Sequence, residues 1–113
     1  MYSYDTYNAS FYVIVYTAPS PHIYLHPLDR TVRINNDSTS VDFICMASRA
    51  LSYFWHKEEG NIASTAKGNN TSKLVLQNVL PSDSGRYQCV AVNENGKSYS
   101  DFAMLTIEGI IYL

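Results

Sequence analysis

The chain has few of the residues that build disulfide-rich or metal-bound folds. Only two of its 113 residues are cysteine, too few to staple a miniprotein, and they lack the CxxC spacing of a zinc site. An even count of cysteines is compatible with one bridge and does not establish it. The five glycines are dispersed and form no glycine-rich phosphate-binding loop.

Charge and hydropathy exclude further classes of protein. The formal net charge is −2 and the basic residues are scattered, so we expect no nucleic-acid partner and no attraction to an anionic membrane. No apolar run reaches the roughly 18 residues of a membrane-spanning helix, so we expect no direct membrane insertion by this segment. Hydrophobic residues at 46% and charged residues at 16% are typical of a packed globular protein, with room for one main domain.

No catalytic or metal-binding constellation is visible in the sequence. The histidines fall in separate predicted strands and lack HExxH spacing: His22, His26 and His56. Cys89 alternates with apolar residues on either side, which favours a buried position over the exposed, electropositive site that a nucleophilic thiol needs. We therefore predict a protein with no enzymatic activity, no cofactor and no metal ion.

The most informative part of the chain is the stretch 74–96, which predicts a strand, a corner, a second strand and a hairpin. It opens with leucines at alternating positions, the period-two pattern of a strand. Turn-forming residues at 78–85 cannot continue a central strand. A second alternating run at 87–91 then ends at the turn 93–96.

The other segments also favour strands. The first predicted strand is split at Pro27, because proline is tolerated only at a sheet edge or a strand break. The predicted strand segments, of which 62–67 is the weakest, are 22–25, 31–34, 41–47, 52–57, 62–67, 74–76, 87–91 and 98–107. Short strands separated by turn residues, with no amphipathic helix, predict an all-β sandwich.

An ordered set of residues adds a family resemblance. The set is Cys45, Trp55, Leu74-x-Leu76, Asp83-x-Gly85-x-Tyr87-x-Cys89 and Asn93-x-x-Gly96. Over residues 21–108 it resembles the immunoglobulin superfamily, in particular its intermediate (I-set) type. The resemblance implies an immunoglobulin-like β-sandwich of two antiparallel sheets, with one inter-sheet disulfide between Cys45 and Cys89. The other structural positions that it implies are Trp55 beside the bridge, Tyr87 at the tyrosine corner, Asp83, Gly85, Leu74 and Leu76.

The two ends of the chain are predicted to lie outside this domain. In the extra N-terminal segment 1–20, residues 10–17 favour a strand and 18–21 a linker, as where one β-domain leads into the next. The alternatives are a signal peptide, which the acidic start disfavours, and a start with no structural role. Residues 109–113 are predicted to begin a linker or another domain, so tandem immunoglobulin-like or fibronectin-like neighbours are expected.

Outward-facing residues of three strands form the candidate partner-binding face. These strands are neighbours in the sheet that the resemblance implies, and contiguous apolar surface often marks an interface. The candidate residues are Phe54, His56, Arg86, Gln88, Val90, Val92, Phe102 and Met104. The strand ends and hairpin loops are the competing site, and a bulge in the last strand is the alternative that would turn Phe102 inward.

Glycosylation triplets point to the compartment. They begin at Asn8, Asn36, Asn69 and Asn70, of which the last three are the candidate sites. Together with the cysteine pair they favour an oxidising, extracellular setting.

The family resemblance implies the function. It is a non-enzymatic recognition module at the cell surface, within an adhesion molecule or a receptor ectodomain, with another protein as its homophilic or heterophilic partner. The alternatives are an intracellular structural domain of a giant muscle-type protein or of a kinase-associated scaffold, and a secreted decoy.

Overall fold

Residues 19–34 and 39–109, which a computed structural model describes, form nine β-strands and one short 3-10 helix at Pro81–Asp83. The strands in chain order are β1 His22–Leu25, β2 Arg30–Ile34, β3 Val41–Ile44, β4 Met46–Ser48, β5 Ser52–Lys57, β6 Lys73–Leu76, β7 Gly85–Asn93, β8 Gly96–Tyr99 and β9 Ala103–Gly109. These two ranges contain no α-helix. The prediction of an all-β chain is confirmed.

The strands form the two layers of an immunoglobulin sandwich. The first layer has the order β2–β9–β7–β5, and β8 also pairs with β7. In the second layer β1 pairs with β4 and β3 pairs with β6, while Cys45 alone separates β3 from β4. All of these pairs are antiparallel except β2 with β9, which run parallel.

The first strand is split at Pro27, as predicted, and the structure places its two parts in different layers. β1 pairs with β4 in the second layer, whereas β2 pairs with β9 in the first. Pro27 lies buried in the crossover between β1 and β2. Because proline has no N–H to donate, it fits at a point where the chain leaves one ladder and joins another.

The core lies between the layers and is centred on the disulfide. Cys45 and Cys89 are bonded across the sandwich with their Cα atoms 6.3 Å apart, which confirms the predicted bridge. Trp55 pairs with Cys89 across β5 and β7, and its ring centroid lies 6.3 Å from that of Phe43. The other fully or almost fully buried core side chains include Val41, Leu74, Leu76, Val79, Tyr87, Ala91, Ala103 and Leu105.

Tyr87 forms the corner that links the 3-10 helix to β7. Its hydroxyl donates to the backbone carbonyl of Asp83 over 2.6 Å, and the Asp83 carboxylate accepts from the backbone N–H of Leu80 over 2.8 Å. Burial, with a smaller contribution from the Asp83 carboxylate, raises the pKa of Tyr87 to about 12. The tyrosine is thus held neutral, as a hydrogen-bond donor, over the physiological range.

Gly85 has two reasons to be glycine. Its φ of 147° is a conformation that side chains disfavour, and an added Cβ would lie 2.8 Å from Cε of Lys57. The Lys57 side chain crosses this position so that its Nζ donates to the Ser82 carbonyl over 2.7 Å. The corner and β5 are therefore joined by a contact that only glycine permits without a shift.

Besides the division of the predicted strand 41–47 into β3 and β4 at Cys45, two strand predictions need correction. Residues 62–67 do not form a strand. They contain a turn in which the N–H of Ala66 donates to the carbonyl of Ala63. One isolated bridge joins Lys67 to Val75. The last predicted strand, 98–107, is interrupted between β8 and β9. Local turn hydrogen bonds displace the ladder in the first case, and Ser100 does so in the second.

Ser100 causes the interruption because its side chain takes part in the ladder. Its hydroxyl accepts from the backbone N–H of Cys89 over 2.9 Å, and its own N–H donates to the Cys89 carbonyl over 2.9 Å. Ser100 is buried, so this two-fold contact keeps β8 and β9 on the same side of β7 while releasing residues 100–102 from regular pairing. The gap has the character of a bulge.

Candidate protein-binding face

The outward side of the first layer brings most of the predicted partner-binding residues together. We call this surface the β5–β7–β9 face. In the register of the sheet, Phe54 lies opposite Val90, His56 opposite Gln88, and Arg86 opposite Met104. The inward residues of the same strands, such as Cys89, pack in the core, so alternation directs these side chains to the other side.

Phe102 lies at the centre of a cluster on this face. The guanidinium carbon of Arg86 is 4.8 Å from the centroid of its ring, within the range of a cation–π interaction. The ring of His56 meets it edge-to-face, with the centroids 6.1 Å apart. Because Arg86 and His56 both belong to the outward set, the interruption at residues 100–102 does not turn Phe102 into the core.

A hydrogen-bonded chain fixes the orientation of His56. The side-chain nitrogen of Gln88 donates to the carbonyl of Ser100 over 2.7 Å. The oxygen of the same amide therefore lies on the side of His56, 2.7 Å from its Nε2. Since an amide oxygen only accepts, neutral His56 carries its proton on Nε2 and leaves Nδ1 as an acceptor.

Two further charged residues complete the face. The ammonium of Lys97, on β8, lies 5.6 Å from the centroid of Phe54. Glu58 follows β5, and its carboxylate is 3.5 Å from Nε of Arg86. Both members of this ion pair are about half exposed, so it contributes little to stability and mainly orients the arginine above Phe102.

The burial of Val90 corrects one part of the predicted partner-binding face. It belongs to the outward side of β7 and is absent from the core between the layers, yet its exposed fraction is 0%. Phe54 on β5 and Tyr99 on β8 pair with it from either side and cover it. Val90 thus supports the face from beneath and is not itself accessible to a partner. Val92, the next outward residue of β7, is half-buried.

A second apolar surface lies on the outside of the other layer. Leu25, Ile44 and Met46 are 43%, 42% and 40% exposed, and Leu28 is more exposed still. Leu25, Leu28 and Ile44 also line an open cavity of about 220 Å³ between β3 and the crossover that follows β1. The sequence analysis did not identify this surface.

Two of the three candidate glycosylation residues lie in the described part of the chain. Asn69 and Asn70 are exposed in a turn between β5 and β6. Asn36, together with the predicted strand at 10–17, lies outside the described residues.

Among the described residues there is neither a cluster of metal-binding side chains nor a membrane-spanning helix. Residues 19–34 and 39–109 contain no group of three or more His, Cys, Asp or Glu side chains positioned to hold a metal ion. Within the same ranges no helix is long and apolar enough to cross a membrane.

Comparison with known proteins identifies the family. The family model described as "Immunoglobulin domain" matches residues 11–93, most of the chain. The chain belongs to the immunoglobulin domain family. No curated protein matches its sequence.

Solved structures with the same immunoglobulin fold come from multi-domain proteins. The tandem Ig repeats of Dlar, a Drosophila receptor protein tyrosine phosphatase, match with a TM-score of 0.67 and 22% identity, over 80% of this chain and 49% of that one. The full ectodomain of mouse nectin-like molecule 4 matches with a TM-score of 0.61 and 21% identity, over 83% and 32%. Immunoglobulin domains 1–5 of Sidekick-1 match with a TM-score of 0.59 and 20% identity, over 80% and 20%. The chain thus spans about half or less of each of these structures.

On the outward side of this immunoglobulin domain's first layer, three residues were missed in the sequence: Glu58, Lys97 and Tyr99. A signal for the last two was present. Counting outward from the hairpin at Asn93 and Gly96 pairs Val92 with Lys97 and Val90 with Tyr99, as the structure has it. The same count places Val90 between two neighbours, and a residue of a central strand between large side chains is covered by them.

Proposed function

We propose that this immunoglobulin domain, of I-set type and bounded by residues 21–108, is a non-enzymatic extracellular recognition module. It belongs to the ectodomain of an adhesion molecule or a cell-surface receptor and binds another protein through the β5–β7–β9 face. Its neighbours in structure support this, because they are modules of a receptor phosphatase and of a nectin-like ectodomain. This domain covers only part of each of those structures, which also favours tandem immunoglobulin neighbours.

The observation that carries the proposal is that the side chains of the face hold one another in place without a partner. Phe102 is packed between Arg86 and His56, and His56 is tied through Gln88 to the backbone. Aromatic and arginine side chains are the residue types that dominate binding energy at interfaces. Side chains already ordered lose less conformational entropy on binding, which raises affinity for the same contact area.

The disulfide favours the extracellular location. Cys45 and Cys89 are bonded, and disulfides persist mainly in oxidising compartments. The alternative is an intracellular spacer domain of the giant muscle-protein kind. A mass spectrum of the native protein that shows two free thiols and unmodified Asn36, Asn69 and Asn70 would favour that alternative.

The binding test uses Phe54→Glu and Met104→Glu on the face, with Ile44→Glu on the opposite layer as the matched control. The chain is displayed multivalently, and its binding to a panel of intact cells is measured by flow cytometry. We expect either face substitution to weaken binding by about tenfold or more, because a carboxylate would be buried in the apolar part of the interface.

The control variant keeps binding in this proposal. Ile44 and Met104 are apolar and similarly exposed, 42% and 41%, so the two substitutions perturb the fold to a similar extent. Urea unfolding of each variant separates lost binding from lost structure. Binding that survives in both face variants and disappears in Ile44→Glu would move the site to the other layer.

A further inference from the structure

Strand β5 is one edge of the first layer, and part of its backbone faces away from the sheet. Among the described strands it pairs with β7 alone. The N–H of Glu58 donates to the Arg86 carbonyl over 2.8 Å, which puts the even-numbered residues of β5 in the hydrogen-bonded pairs. Tyr53, Trp55 and Lys57 therefore direct their backbone polar groups toward the open edge.

The turn 68–71 is fixed against the middle of this edge. The backbone N–H of Trp55 donates to the carbonyl of Asn69 over 3.0 Å, and its indole Nε1 donates to the carbonyl of Thr71 over 2.8 Å. Trp55 is itself held in the core beside the disulfide. The position of the turn relative to β5 is thus set by contacts with a residue buried in the core.

The turn also has a defined shape of its own. Gly68 has a φ of 81°, and an added Cβ would overlap the carbonyl oxygen of Lys73. The Thr71 hydroxyl lies 3.0 Å from the carbonyl oxygens of Gly68 and Lys73 and accepts from the N–H of Lys73 over 3.2 Å. A group attached at this turn is therefore presented at one place along the edge.

We propose that this turn carries one N-linked oligosaccharide, on Asn69, and that the oligosaccharide covers the open edge of β5. Asn69 and Asn70 are both exposed, and each begins an acceptor triplet. Asn69 is the nearer of the two to the edge, because its own carbonyl is bonded to Trp55. The inference rests on the extracellular location in the proposed function, since such oligosaccharides are found on secreted and surface proteins.

Covering the edge has a consequence for association. An open strand edge presents unpaired N–H and C=O groups that pair readily with the edge of another chain. A bulky, hydrated oligosaccharide prevents that pairing while leaving the outward side chains of the β5–β7–β9 face uncovered. A partner then approaches the face of the sheet, and two copies of the domain are kept from joining edge to edge.

The first experiment locates the oligosaccharide. The chain is fused to a secretion signal and produced in cultured animal cells, and enzymatic release converts each glycosylated asparagine to aspartate, which peptide mass spectrometry detects. We expect aspartate at position 69, and we expect Ser72→Ala, which destroys only the triplet of Asn70, to remain glycosylated. Unmodified asparagine at position 69 in the wild-type chain overturns the assignment.

The second experiment tests the covering role. Self-association is measured by analytical ultracentrifugation for the wild type, for Asn69→Gln/Asn70→Gln and for Asn61→Gln, an exposed asparagine outside any triplet. We expect self-association to strengthen by about tenfold in the double variant and to stay unchanged in the control. Enzymatic release from the folded wild-type protein should have the same effect as the double substitution. Equal self-association with and without the oligosaccharide overturns the role.

The outcome is separable from that of the binding test. Phe54→Glu is compared with the wild type while both carry the oligosaccharide, so failure of the face leaves the glycopeptide result unchanged. An unmodified turn, conversely, leaves the comparison of Phe54→Glu with Ile44→Glu intact.

Discussion

The protonation of Tyr87 is linked to folding by burial. Its pKa is raised from 10 in the unfolded chain to about 12 in the fold, first by burial and then by the Asp83 carboxylate. Above pH 10 the unfolded chain loses the proton more readily than the folded one. Stability from this group is therefore fully present below pH 10 and is lost as the pH rises toward 12.

Replacing Tyr87 with phenylalanine tests both consequences. The Asp83 carbonyl loses its buried donor, so we expect the free energy of unfolding to fall by about 1–3 kcal/mol at pH 7. We also expect the variant to lose less stability than the wild type between pH 10 and pH 12. Urea denaturation at a series of pH values measures both, and parallel pH curves for the two proteins would contradict the assignment to Tyr87.

Val90 shows why outward direction and exposure are separate questions at the residue scale. Alternation along β7 places it on the outside, as the sequence predicts, but its neighbours in two other strands remove it from solvent. A charge at position 90 would therefore disrupt folding as well as any interface. For this reason Phe54 and Met104 are the better probes of binding.

At the scale of elements, Ser100 holds the interrupted last strand to its neighbour. Its hydroxyl is the acceptor for the buried N–H of Cys89. We expect Ser100→Ala to cost about 1–3 kcal/mol, because that N–H is left without a partner. Amide hydrogen exchange should report faster exchange at Cys89, with little change at the opposite end of the domain.

Ser100→Thr is the matched variant, because it keeps the hydroxyl. It should retain most of the protection of Cys89, with a smaller loss from the added methyl group in a buried site. Equal exchange at Cys89 in Ser100→Ala and the wild type would show that regular pairing can replace the side-chain contact.

The strands also show which breaks in pairing the sequence predicts and which it does not. The split at Pro27 was predictable, because a missing N–H constrains the backbone locally. The interruption at Ser100 was not, since it depends on a partner 11 residues away across the ladder. The failed strand at 62–67 has a different, local origin, because its weak alternation did not reveal the turn formed by Ala63 and Ala66.

At the scale of the whole molecule, the disulfide is the largest single contribution to stability that the residues allow us to name. It closes a loop with a sequence separation of 44, for which the chain-entropy model gives about 4 kcal/mol. A domain of this size is stable by only about 5–15 kcal/mol in total. The bridge therefore accounts for a large share of the net stability.

Replacing Cys45 and Cys89 together with alanine should lower the free energy of unfolding by about 2–5 kcal/mol. Urea denaturation of both proteins, with and without reductant, measures the change. The wild type should lose stability in reductant, and the double variant should be indifferent to it. A wild type insensitive to reductant would show that the bridge does not stabilise the fold.

The fold of the whole molecule was more predictable than its candidate site. The core fixes the residues that carry the family resemblance, namely Cys45, Trp55, Tyr87 and Cys89. Their spacing along the chain indicates which strands face each other. The Phe102 cluster is fixed by side-chain contacts between strands, which alternation alone does not encode. The position of Lys97 on this surface depends on the register of the sheet. That of Glu58 depends on the course of the chain after β5.

The parallel pairing of β2 with β9 has a mechanical consequence. The pair extends from Arg30 beside Leu105 to Ile34 beside Gly109, five positions in register. A force that pulls β2 toward its start and β9 toward its end loads these parallel strands in shear. Their hydrogen bonds then share the load and must break together, whereas bonds that are unzipped break one at a time. Once tension reaches β2 and β9, all five positions of the pair therefore resist it together.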